Sequence, residues 1–66
     1  MNDYYIRVYQ EDDTFNEYDI TTSKGDDFAI LAAFLMDGGA GAEYEDDDGM
    51  LELAKTWTEI ISVVRA

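Results

Sequence analysis

The sequence predicts one small α+β domain with elements in the order β-β-α-β-β, the last of them open between strand and helix. Three observations carry this. Residues 4–10 alternate apolar and polar, residues 15–22 do so again after an acidic break, and residues 28–35 switch to helical spacing between a serine and a pair of glycines. A chain of 66 residues allows one domain, 1–66. A domain this small buries about 60% of its unfolded surface, so its core is thin.

The first run, Tyr4-Tyr5-Ile6-Arg7-Val8-Tyr9-Gln10, is aromatic and β-branched. Tyr4, Ile6 and Val8 share one face, and Tyr5, Arg7 and Tyr9 the other. Glu11-Asp12-Asp13-Thr14 breaks the pattern with turn-forming residues. The second run, Phe15 to Thr22, sets Tyr18 and Ile20 on one face and Glu17, Asp19 and Thr21 on the other. Paired as an antiparallel hairpin, the runs are expected to place Ile6 opposite Ile20, Val8 opposite Tyr18 and Arg7 opposite Asp19.

Ser23-Lys24-Gly25-Asp26 resembles a capping box, and Asp27 adds charge suited to a helix N-terminus. Phe28, Leu31, Ala32 and Leu35 follow at helical spacing, flanked by Ile30 and Phe34. Asp37-Gly38-Gly39 ends the element, since glycine takes the left-handed conformation of a C-cap. This predicts a helix over 24–36.

The last third reads two ways. As strands, 42–45 lead into an Asp46-Asp47-Asp48-Gly49 turn, Met50 to Lys55 return with Tyr44, Leu51 and Leu53 inward, residues 57–60 bend, and Ile61 to Arg65 close the sheet. As a helix, Met50, Leu53, Ala54, Trp57, Ile61 and Val64 lie at helical spacing behind three aspartates. The Asp-Gly pair and the β-branched run Thr58 to Val64 favour strands. A hybrid, with a short helix from Gly49 and a strand from about Thr58, stays open.

Composition closes off most chemistries. Sixteen acids against four bases give a net charge of −12. With no Cys and no His, disulfides, thiolate nucleophiles and the commonest general base are missing. The chain is too small for a deep enclosed pocket. Four cations cannot neutralise a phosphate backbone that 16 carboxylates repel, so direct nucleic-acid binding is not expected. The same sign argument applies to anionic membranes, and no run approaches the ~20 apolar residues of a membrane span. The expectation is a cytoplasmic protein, monomeric or weakly dimeric, with no cofactor. Disorder of the whole chain is disfavoured, because 47% of the residues are hydrophobic and fall in periodic segments.

Glu43 to Gly49 invites a calcium-loop reading. With Gly49 at loop position six, Asp46 and Asp48 fill ligand positions, but Tyr44 and Lys55 stand where the anchoring carboxylates belong. No metal site is therefore expected. Paired carboxylates for acid–base work need burial in a cleft, whereas these acids fall in turns, caps and outward faces. Gly38-Gly39-Ala40-Gly41 follows a helix rather than a strand, unlike a phosphate loop. No enzyme is expected.

Tyr4, Tyr18 and Tyr44 are suited to completing the core. Tyr5 and Tyr9 flank Arg7 on the outward face and suit a protein interface, where tyrosine gives contact area at low entropy cost. The acids are clustered: Glu11, Asp12 and Asp13; Glu17 and Asp19; Asp26 and Asp27; Glu43, Glu45, Asp46, Asp47 and Asp48. Acidity can simply keep a domain soluble, but −12 exceeds the magnitude of about 2–8 that solubility recommends. A carboxylate ridge at near-phosphate spacing would occupy the Lys and Arg of a nucleic-acid channel. The candidate partner-binding residues are thus the first, second and last of these clusters, with Tyr5 and Tyr9.

A very short, cysteine-free, strongly acidic α+β chain with outward tyrosines resembles the DNA-mimic inhibitors carried by phages and other mobile elements. Gln10-Glu11-Asp12-Asp13, Glu17-Tyr18 and Asp27-Phe28 are similar to the acidic hairpin and helix of phage uracil-DNA glycosylase inhibitors over about residues 10–28. In size, composition and its Ala- and Gly-containing middle, the chain also resembles type I anti-CRISPR proteins, the favoured likeness. It implies a basic host nucleic-acid-binding complex as partner, with a Cascade subunit blocked where it contacts DNA, in the host cytoplasm for a phage-encoded chain. An immunity- or antitoxin-like protein that neutralises a basic toxin would use the same electrostatics.

Overall fold

The computed structural model describes residues 1–39 and 47–66, Asp47 by its backbone alone. Strands β1 (Asn2–Tyr9) and β2 (Phe15–Thr22) form the expected antiparallel hairpin. Helices α1 (Asp26–Met36) and α2 (Asp47–Trp57) follow, and β3 (Thr58–Val64) returns antiparallel to the other edge of β1. The sheet order is β2-β1-β3, and both helices cover one face of it. The α+β class stands, but the order among the described residues is β-β-α-α-β.

The hairpin register differs from expectation by two residues. Ile6 faces Tyr18, Val8 faces Asn16 and Arg7 faces Glu17. The turn sets this: Asp13 N–H donates to the Gln10 carbonyl (3.2 Å), Gln10 N–H donates to the Thr14 carbonyl (2.8 Å), and Asp13 sits at φ 68°. This is a type I turn followed by a left-handed residue, a standard three-residue hairpin loop. Because the offset is even, every side chain keeps its expected face. Tyr4, Ile6 and Val8 are buried, and each contributes about 1.5–3 kcal/mol relative to exposure.

Helix α1 begins later than the sequence predicts. Gly25, at φ 101°, is its N-cap, and no side chain caps it; the Ser23 capping box does not form. Asp26 and Asp27 occupy the first turn, where the helix dipole favours negative charge. The end is as expected, with Asp37 as C-cap and Gly38 at φ 102°. The fully buried face is Ala29, Ala33 and Phe34, with Ile30, Leu31 and Ala32 partly buried against the core. Phe28 stays 43% and Leu35 36% exposed. The helix is apolar nearly all round, so periodicity alone does not choose a side. Its small alanines let the backbone approach Tyr4, Ile6 and Val8 closely.

The strand expected over Met50 to Lys55 is instead α2, and Asp47, Asp48 and Gly49 open that helix rather than forming a hairpin turn. Leu, Glu, Ala, Lys and Met are strong helix formers, and Met50 and Ala54, one turn apart, are buried together. In place of the expected bend at 57–60, Trp57 ends α2 and Thr58 to Ile60 begin β3. The hybrid alternative gives these elements correctly, from about Gly49 and Thr58. The strand expected over 42–45, with Tyr44, lies outside the described residues.

Strand β3 carries a bulge. Tyr5 faces Ser62 and Ile6 faces Ile60, leaving Ile61 unpaired. The extra residue resets the alternation, so that Ile60 and Val63 both pack on the core while Ser62 stays outside.

Candidate protein-docking surface

Alternation along three strands produces a second sheet face that no described helix covers. Down its centre run Asp3, Tyr5, Arg7 and Tyr9, beside Phe15, Glu17, Asp19 and Thr21 of β2 and Glu59 and Ser62 of β3. The Arg7 guanidinium carbon lies 4.3 Å from the centroid of the Phe15 ring. The Tyr9 ring meets Phe15 edge-on, with centroids 5.8 Å apart, and its hydroxyl donates to Glu59 Oε2 (2.8 Å). One aromatic–cation patch thus ties β2, β1 and β3 together.

Arg7 does not pair with Asp19, as expected from the shifted register. It faces Glu17 on one side and Glu59 on the other, yet makes no ion pair with a described residue, and its Nε is buried without a hydrogen-bond partner. The other three cations sit away from the hairpin acids. Lys55 pairs with Asp27 (3.5 Å), Arg65 with Asp26 (3.5 Å), and Lys24 Nζ lies 4.8 Å from the centroid of the Phe28 ring. Among the described residues, Glu11, Asp12, Asp13, Glu17 and Asp19 therefore have no cationic partner.

These five acids are brought together on the hairpin, three in its turn and two on the open face of β2, all exposed. Asp12 Oδ1 accepts from the Thr14 hydroxyl (2.6 Å) and the Thr14 N–H (3.2 Å), which hold its carboxyl below the usual range. Tyr5 is half-buried opposite Asp19 and Ser62. Asp47 and Asp48 belong to another element, the first turn of α2, where Asp48 is exposed. Glu43, Glu45 and Asp46 lie outside the described residues.

One polar centre had no separate signal in the sequence. The Asp37 carboxylate accepts from the Tyr18 hydroxyl (2.6 Å), the Asn16 amide (2.8 Å) and the Gln10 amide (2.8 Å). Burial pushes its pKa up, but the three donors outweigh this and hold it below the ordinary carboxylate value. The same contact pushes the Tyr18 hydroxyl up to about 12. The donors lie 19 to 27 positions away in sequence, so no local pattern announces them. A shallow groove of about 760 Å³ opens beside this centre, between Tyr9, Gln10 and Thr14 on the hairpin and Phe34, Leu53 and Trp57 on the helices.

Among the described residues no group of His, Cys, Asp and Glu is placed to hold a metal ion, and no helix is long and apolar enough to cross a membrane. No family model, curated protein or solved structure matches the chain.

Proposed function

We propose that this protein is a stoichiometric, non-catalytic inhibitor whose acidic hairpin docks onto the basic, nucleic-acid-binding surface of another protein in the manner of a DNA mimic. What supports the reading is the distribution of charge: five exposed hairpin carboxylates without a cationic partner, while the chain's four cations lie on rings or on α1. Such a surface attracts the Lys and Arg of a nucleic-acid channel over a distance set by salt. Arg7, Phe15 and Tyr9 lock the strands behind it, so the carboxylates are presented with little entropy left to lose on binding. The favoured target is a Cascade-type anti-phage complex, as for a type I anti-CRISPR protein. A uracil-DNA glycosylase is the second candidate, and a basic toxin the third.

The test mixes the purified protein with each target and titrates a DNA duplex as competitor at several salt concentrations. Mutually exclusive binding, with affinity falling as salt rises, is the expected result. A ternary complex in which DNA and the protein share a target would overturn mimicry for that target. Glu17→Gln with Asp19→Asn leaves the fold unchanged, since neither side chain has an ion pair to lose, and weakens binding several-fold.

A further inference from the structure

The backbone of β2 offers a second kind of contact on the same hairpin. Gln10 N–H donates to the Thr14 carbonyl, which makes Gln10–Thr14 a hydrogen-bonded pair. Such pairs alternate with non-bonded ones along an antiparallel ladder. Tyr9–Phe15, Arg7–Glu17, Tyr5–Asp19 and Asp3–Thr21 are therefore the non-bonded pairs. Phe15, Glu17, Asp19 and Thr21 consequently turn their N–H and C=O groups away from β1, toward an edge that no described strand pairs. These are the residues whose side chains lie on the open sheet face.

Proteins usually blunt a free edge with proline, a bulge, charged side chains, a covering element or a short strand. Of these β2 shows, among the described residues, only the charges of Glu17 and Asp19. Strand β2 is eight residues long, regular in register and free of proline, and Phe15, Glu17, Asp19 and Thr21 are all exposed. The opposite edge differs. Strand β3 is interrupted by the Ile61 bulge, and its outward acid, Glu59, already accepts from Tyr9.

We propose that the β2 edge is a strand-addition site for an extended, basic segment of the partner, running antiparallel to β2 with Lys or Arg at alternate positions opposite Glu17 and Asp19. Backbone bonds supply affinity in this mode and alternate side chains supply selectivity. A second copy of this chain is the wrong occupant, because β2 against β2 sets the same carboxylates opposite one another. The inference rests on the acidic-docking reading and names the partner element within it.

The geometry gives a sharp test. In the antiparallel pairing, the lysines opposite Glu17 and Asp19 bond β2 through their own backbone N–H, while the residues between them face away. The probe is a synthetic strand of about ten residues alternating Lys and Thr, matched to ordinary strand length. One form is backbone N-methylated at two central lysines and another at two central threonines, so that charge is identical. Methylation at lysine is expected to weaken binding about tenfold or more, since it removes the two N–H groups that bond β2, and methylation at threonine to leave it unchanged. Amide exchange at Phe15, Glu17, Asp19 and Thr21 should slow when the unmethylated probe binds. Equal affinity of the two methylated forms, or no slowing at those amides, overturns strand addition. Salt-dependent, DNA-competitive binding to a whole target could survive that result, so the two failures are distinguishable.

Discussion

Asp37 sits where electrostatics alone would not put it. A carboxylate at a helix C-terminus faces the negative end of the helix dipole. Three side-chain donors from the hairpin make it tolerable, and in return it fastens α1 to β2 and to the start of the turn. Asp37→Ala leaves Tyr18, Asn16 and Gln10 without their acceptor and is expected to cost about 2 kcal/mol in urea denaturation. The pH dependence follows from the two shifts. The Asp37 carboxyl is lowered in the fold, so its contribution is present above its ordinary value of 3.8 and is lost as pH falls through the folded value. The Tyr18 hydroxyl is raised, so its contribution is full below pH 10 and is lost as pH rises through about 12. A tyrosinate absorbance component near pH 12 that vanishes in Tyr18→Phe checks the second half. Asp13 offers the opposite case. It holds φ 68° with a side chain that adds strain there, so Asp13→Gly should stabilise the hairpin by about 0.5 kcal/mol, read as a higher melting temperature.

At the scale of elements, β3 carries both a correction and a weakness. Its bulge brings Val63 inward, but the strand also buries the Thr58 hydroxyl without a partner. Thr58→Val keeps the branched shape, removes the orphaned polar atom and should stabilise the protein by about 1 kcal/mol in equilibrium unfolding. Much of this architecture is legible in the sequence. Alternation in 4–10 and 15–22 gives both hairpin strands and their faces, and Asp37-Gly38-Gly39 gives the end of α1. The register is not legible, because Glu11-Asp12-Asp13-Thr14 suits more than one turn and an even slip preserves every face. Nor is the state of 50–55, where Leu51 and Leu53 fit a strand as well as Met50, Leu53 and Ala54 fit a helix. Burial of Ala54 in one core with Ile6, Val8 and the α1 alanines, which lie in distant parts of the chain, settles it.

For the molecule as a whole, a charge of −12 repels itself on folding. Raising sodium chloride from about 10 mM to about 150 mM shortens the Debye length from roughly 30 to 8 Å and should raise the melting temperature, while weakening any basic partner's grip. A melting temperature indifferent to salt would mean that the carboxylates are compensated locally. The hairpin part of the candidate surface was readable because turn and strand positions expose their acids regardless of register. Its grouping with Asp47 and Asp48 was not, since that depended on a turn that is in fact a helix. The placement of β1 in the middle of the sheet has a kinetic side. Its pairing with β2 closes a three-residue loop, whereas its pairing with β3 joins Val8 to Thr58, 50 positions away. For a flexible chain that closure costs about 2.5 kcal/mol more. Strand β3 is then the last to dock and the first to leave, and amide exchange should be faster in Thr58–Val64 than in the β1–β2 ladder. Each departure bares the second edge of β1 to the β3 of a neighbouring molecule. Refolding at high concentration would then close some sheets between chains instead of within them, trapping exchanged dimers that dilution releases slowly.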